Sequence, residues 1–195
     1  MKYWQLWFLA YRNPSRFADV LSSASAPRWG FYAAFQRGLM DGFLTYLPVY
    51  LLGKVPPMPS YLAFIPTEKY YGALVVIAPL VLLAQWLLTT ALMHLILRLS
   101  KQKSDFDVLL NLTGFIILAI GAVIVVWDAI WIVVGGMNQY SLGISHLLID
   151  LWAIAIGTIA LRRIFDVPVW LGIFLNILAI IASLPLAIMF MRSPV

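Results

Sequence analysis

Three residues have the types and the spacing to do ion or proton chemistry. His146 and Asp150 are four apart, so on a helix they sit one turn apart on one face. Asp128 lies in the preceding apolar stretch, and a turn at Gly135 to Tyr140 would join the two as antiparallel neighbours, letting all three side chains converge. An imidazole with two carboxylates could take a divalent cation or share a proton, because two carboxylates held close cannot both stay ionised without compensation. The plainer expectation is hydrogen bonding of each to Asn138, Tyr140 or interfacial water. Arg37 and Asp41 form a second pair at the same spacing, about 6 Å apart along a helix axis, where each can neutralise the other. Such a pair serves as a structural lock or as a transport site. The loop Ser100 to Asp107 carries a third group, Lys101, Lys103, Asp105, Phe106 and Asp107, which is the best solvent-facing surface for a protein partner.

The elements that position these groups must be membrane helices. The 195 residues are 63% hydrophobic and only 11% charged, with a mean hydropathy of +0.94, far from the composition of soluble domains. Val108 to Val134 holds one charge, Asp128, over more residues than the roughly 20 that a helix needs to cross a hydrocarbon core. The expected fold is therefore an all-α membrane protein. It comprises a cytoplasmic amphipathic segment, residues 1–30, and a five-transmembrane-helix bundle, residues 31–195. The spans fall at 31–52, 70–97, 108–134, 142–161 and 169–191. With no Cys, thiolate metal sites and disulfides are excluded.

Basic residues set the orientation. If five spans alternate, Lys2, Arg12, Arg16, Arg28, Arg98, Lys101, Lys103, Arg162 and Arg163 lie on one side and Lys54, Lys69 and Arg192 on the other. This asymmetry places the N-terminus in the cytoplasm and the C-terminus outside. It also explains the net charge of +5 without nucleic acid as a partner. In the N-terminal segment, Trp4, Trp7, Phe8 and Tyr11 make an aromatic stripe at helical spacing. Asn13-Pro14 starts a second helix whose apolar face is Phe17, Val20, Leu21 and Ala24. Both helices suit either the lipid surface or the cytoplasmic ends of the spans, and Ala24-Ser25-Ala26 imitates a cleavage site too far from an apolar run to serve as one. The proline-rich stretch 54–66 is an outer loop resting Tyr61 and Phe64 at the interface. Gly114 with Gly121, Ala153 with Gly157, and Ala179 with Ser183 and Ala187 are seams of small residues where membrane helices can approach. Pro79 and Pro185 should bend their helices. His94, Asn111 and Asn176 are candidates for hydrogen bonds between helices, and Ser104 or Asp105 for the N-cap of the third span.

No metalloprotease HExxH, GxSxG, P-loop, paired-Glu or GxGD element is present, so the expectation is a protein that is not an enzyme. Two stretches, HLILRLSKQKSDFDVLLNLTGFIILAIG and LWAIAIGTIALRRIFDVPVWLGIFLNIL, together with the Asn-Pro helix start and the order of the spans, resemble the Yip domain family of Ypt/Rab-interacting membrane proteins and their bacterial relatives. Ser104-Asp105-Phe106 stands where that family often has a Gly-Ser-Phe-like turn. Gly114-Phe115 is the nearest approach to the Gly-Tyr signature of eukaryotic members. The resemblance implies a non-catalytic protein of the prokaryotic inner membrane, without a resident cofactor, acting through lipid, a protein partner or a second copy of itself. The alternative from the residues alone is a small transporter or ion-binding protein that uses Arg37, Asp41, Asp128, His146 and Asp150.

Overall fold

The computed structural model of the chain describes residues 2–24, 28–57, 61, 64–134 and 138–190. Its regular structure among these residues is entirely helical: α1 (Tyr3–Arg12), α2 (Pro14–Ala24), α3 (Arg28–Met40), α4 (Leu47–Leu51), α5 (Tyr70–Leu99), α6 (Phe106–Val134), α7 (Gln139–Phe165) and α8 (Val169–Phe190). A π-helical segment, Asp41–Tyr46, joins α3 to α4, and a 3-10 turn, Thr67–Lys69, leads into α5. Four helical runs, Thr67–Leu99, Phe106–Val134, Leu142–Phe165 and Val169–Phe190, are long and apolar enough to cross a membrane. The Ala24-Ser25-Ala26 stretch and the turn Gly135 to Met137 fall at least partly outside the described residues.

α6 is the axis of the bundle, touching α1, α2, α3, α5 and α7. Around it α3, α5, α8 and α7 close a ring, each packed on the next, with α7 and α3 both returning to α6. The tightest approaches come from α3, whose buried face Gly30, Ala33, Ala34, Arg37 and Gly38 repeats at helical spacing and continues as Asp41, Gly42, Thr45 and Tyr46. Small residues let backbones meet there. A methyl group on Gly30 would strike the Leu110 carbonyl, one on Gly114 would strike the backbone of Gly30, and one on Gly38 would strike Pro79. Asn111 seals this crossing, its buried Oδ1 accepting the Gly30 N–H at 2.7 Å. That N–H belongs to the first turn of α3 and has no partner within the helix.

The π-helical segment has a local cause. Pro48 has no N–H to give the Leu44 carbonyl, and its ring crowds that carbonyl. The chain widens upstream, and the Leu47 N–H reaches back to Gly42.

α1 and α2 lie along the flank of the bundle rather than over the ends of the spans. Leu6, Ala10, Phe17, Ala18 and Leu21 are fully buried in one cluster with Leu97, Leu109, Phe115 and Leu161. The Tyr11 hydroxyl donates to the Ala119 carbonyl at 2.6 Å, and its ring stacks on Trp152. The aromatic stripe is turned outward in part, with Trp4 and Phe8 exposed. Asn13 caps α2 as its sequence suggests, accepting the Arg16 N–H at 3.0 Å.

Candidate functional site: a chamber inside the bundle

Between the helices of the ring lies a partly open chamber of about 230 Å³. Its walls are mostly aliphatic, with Ile116, Ile117, Ile120 and Ile124 of α6 on one side and Ile154 and Ile180 on the other. Into this apolar space come Arg37, Gln85, Thr89, Thr113, Asp150, Asn176 and Ser183. Helix directions place Asp150, Ile124, Leu82 and Ser183 toward one end, and Met93, Leu112 and Leu161 toward the end that carries Arg98 and Arg162.

Arg37 and Asp41 form an ion pair, both nearly fully buried. The Arg37 stem lies directly on Gly121, where even a methyl group would collide with it. That contact explains the glycine on α6: it leaves the space through which the guanidinium side chain passes. Asp41 Oδ2 and Thr45 Oγ1, one turn further along the same face, are buried without a hydrogen-bond partner.

The three residues near the other end do not form one cluster. His146 Nε2 and Asp128 Oδ1 are 2.9 Å apart, joining α7 to α6. Asp150 instead lines the chamber, and among the described residues no group of three His, Cys, Asp or Glu is placed to hold a metal ion. Spacing on α7 brings His146 and Asp150 to one face, but His146 bonds across to α6 while Asp150 opens on the chamber. Tyr140 points away and is exposed. A neighbouring bond tightens this seam, with Trp127 Nε1 donating to Ser145 Oγ at 2.9 Å.

The remaining polar groups are mostly tied to backbone. Gln85 Nε2 donates to the Ser183 carbonyl at 3.0 Å, crossing from α5 to α8. Asn176 Nδ2 donates to Gly172 of its own helix at 2.7 Å while its carbonyl side packs on Gly157. Thr90 and Thr113 hydroxyls are 2.7 Å apart and couple α5 to α6. The seams expected at Gly114 with Gly121 and at Ala153 with Gly157 are thus both in use, the first against α3 and the second at the chamber and α8.

At the other end, the Ser100 to Asp107 loop is a folded connection. Lys101 takes a left-handed backbone with φ of 58° and ends α5, its N–H bonded to Arg98 and that of Gln102 to Leu97. Asp105 is the N-cap of α6, its Oδ1 accepting from Asp107 and Val108. His94 Nδ1 pairs with Ser104 Oγ at 2.7 Å, and its ring packs edge-on against Phe106. Lys101, Lys103, Asp105, Phe106 and Asp107 are all exposed. Beside them, Asp19 of α2 meets Arg163 of α7 through two hydrogen bonds, at 2.7 and 3.2 Å. Those bonds, together with the guanidinium charge, hold the Asp19 carboxyl below its usual range. Burial pushes Tyr3, on the flank of the bundle, up to about 12.

The chain matches no protein-family model, no curated protein and no solved structure.

Proposed function

We propose that this is an integral membrane protein that binds or passes a small solute through the chamber, with the helical run 28–51 as a fifth span. One observation carries the reading: a guanidinium, a carboxylate, two amides and three hydroxyls open onto a cavity in the middle of the bundle. Charges at that depth are costly, and in membrane proteins they mark pathways and binding sites. The run 28–51 would be about 36 Å long as an ideal α-helix, enough to cross; Arg28 stands exposed at its start, and its two interior charges, Arg37 and Asp41, are buried against each other. The basic residues at the Arg98 and Arg162 ends support a cytoplasmic N-terminus and an outer mouth near Asp150.

The absence of native Cys makes the test direct. Single cysteines at Ala153 and Ala179, which line the chamber, and at Ile181, which is 56% exposed on the lipid side, are probed in membrane vesicles with charged, impermeant thiol reagents. Labelling of the first two but not the third is expected. If neither chamber position reacts from either side, the chamber is closed to solutes and the proposal falls.

A second reading, a non-enzymatic Yip-type protein that works through a partner, draws support from the exposed mixed-charge surface Lys101, Lys103, Asp105, Phe106 and Asp107. The two readings are compatible, since the loop and the chamber occupy different parts of the molecule.

A further inference from the structure

Charge accounting at the chamber wall leaves one carboxylate over. Arg37 is matched by Asp41. His146, if protonated, is matched by Asp128. Asp150 lines the chamber, and among the described residues it has no hydrogen bond or ion pair of its own. The charged and titratable groups around it are His146 on its own helix, Asp128 on α6, and Arg37 with Asp41 on α3. The chamber residues of α5 and α8, including Gln85, Asn176 and Ser183, do not titrate. If His146 is neutral, the excess of negative charge grows by one. Asp150 is part-buried and the one cation it feels, His146, is already engaged by Asp128, so a carboxylate placed there against aliphatic walls is disfavoured unless something further neutralises it.

We propose that the chamber takes a small monovalent organic cation with an apolar body, an alkylammonium, with Asp150 as its counter-charge. The inference rests on the chamber being open to solutes. Wall chemistry separates this ligand from the other classes. A bare Ca²⁺ or Mg²⁺ demands about six oxygen ligands and is held chiefly by carboxylates, whereas the chamber wall brings a single carboxylate, Asp150, not already paired with Arg37, and among the described residues no group of three His, Cys, Asp or Glu is placed to hold a metal ion. An anion would find its only guanidinium held by Asp41 and would meet Asp150 as a like charge. An alkylammonium needs one counter-ion and otherwise prefers an apolar surface, which is what the wall supplies. At about 230 Å³ the chamber lies below the usual range of drug-sized sites, roughly 300–1,000 Å³, so the ligand is small. None of the lining residues is aromatic, so recognition rests on charge and volume rather than on cation–π contacts.

Asp150 is itself only part-buried and His146 beside it is one-third exposed, so protein does not seal this end of the chamber.

The test measures equilibrium binding of radiolabelled tetraethylammonium to the full chain in detergent micelles, with propanesulfonate as the anionic probe. Asp150→Asn should weaken tetraethylammonium binding about thirtyfold or more, as when one partner of a buried charge pair is removed, and Asp150→Glu should restore most of it. Ala153→Leu keeps the carboxylate but fills space one turn away, and it should abolish binding even if Asp150→Asn does not fold. Unchanged binding in Asp150→Asn overturns the proposal, as does wild-type protein that ignores tetraethylammonium. If propanesulfonate binds instead, or if the Ala153 cysteine is labelled while tetraethylammonium fails, the chamber stands and only the cation assignment is lost. Absence of both labelling and binding removes the chamber reading as well.

Discussion

Replacing one partner of the Arg37–Asp41 pair should be far more damaging than replacing both. Each side chain is more than nine-tenths buried, so Arg37→Met strands a carboxylate and Asp41→Leu strands a guanidinium. Breaking a buried pair in this way costs about 3–5 kcal/mol, whereas exchanging the whole pair for apolar residues of similar volume is close to neutral or stabilising. The double variant Arg37→Met, Asp41→Leu should therefore unfold within about 1 kcal/mol of wild type. Methionine is the right replacement because the Arg37 stem fills the space left by Gly121, and an unbranched chain can follow the same course. One feature adds to the cost already present in the wild type: Asp41 Oδ2 is buried with no hydrogen bond, so the pair lacks the extra donors that make such bridges favourable. The assay is reversible unfolding in mixed micelles by sodium dodecyl sulfate, followed by tryptophan fluorescence. A double-mutant cycle then gives the coupling directly. A coupling below about 0.5 kcal/mol, in which the double variant merely adds the two losses, would refute the claim that the two charges act as one buried unit.

Two further outcomes follow from packing and from charge. Gly38→Val should lose about 1–3 kcal/mol or fail to assemble, because its side chain would run into the backbone of Pro79, which cannot swing aside. Gly143→Ala on α7 meets nothing within 4 Å and should gain about 0.5–1 kcal/mol from helix propensity. Equal effects at the two sites, in the same unfolding assay, would remove the argument from close approach. The Asp19–Arg163 link makes the docking of α2 sensitive to acid. Its folded carboxyl titrates below the usual 3.8, so the stabilisation is present above that value and disappears as the pH falls through the folded value. Hydrogen-exchange protection of α2, corrected for intrinsic rates, should drop in that acid window in wild type only. Asp19→Asn should already sit at the lower level, and added salt should narrow the gap because the pair is exposed.

Hydropathy made the long helices legible, since 20 or more apolar residues leave few other options. The expected spans at 70–97, 108–134 and 169–191 differ from α5, α6 and α8 by no more than two residues at either end. α7 begins earlier and ends later than 142–161, since its polar ends, Gln139 and Arg163, carry no hydropathy signal. Spacing alone identified the Arg37–Asp41 pair, because i, i+4 on a helix leaves little freedom. Spacing also brings Asp128 and His146 together, but it does not say that Asp150, on the same face of α7, opens instead on the chamber with Arg37, Gln85 and Asn176. The α3 seam is not among the seams expected from the sequence, although Gly30, Ala34, Gly38 and Gly42 recur there at four-residue intervals and Gly30 faces Gly114 of the seam that is. The π-helical segment left a fainter trace in Pro48. Its position at Asp41 depends on which carbonyl the proline displaces.

Irregular backbone and costly side chains share one layer of the molecule, and they are connected. The π-helical segment begins at Asp41. Gly42 within it rests on the Val75 carbonyl, and Val75 is the residue whose usual helical partner would be Pro79. Gly38, one turn before, rests on Pro79 itself. Two helices thus meet where each has lost a regular hydrogen bond, next to a buried ion pair and the chamber. Non-helical backbone at membrane depth is tolerated where protein covers it or where it lines a cavity. The stabilisation that offsets this layer lies in the other half of the bundle. There α1 and α2 add Leu6, Ala10, Phe17 and Leu21 to Leu97, Leu109, Leu112 and Leu161 in a fully buried cluster. On this reasoning the N-terminal helices act as a clamp on the half of the long helices that ends at Arg98 and Arg162. Loosening that buried packing should therefore weaken the whole bundle, while changes at the chamber wall should act mainly on what the chamber holds.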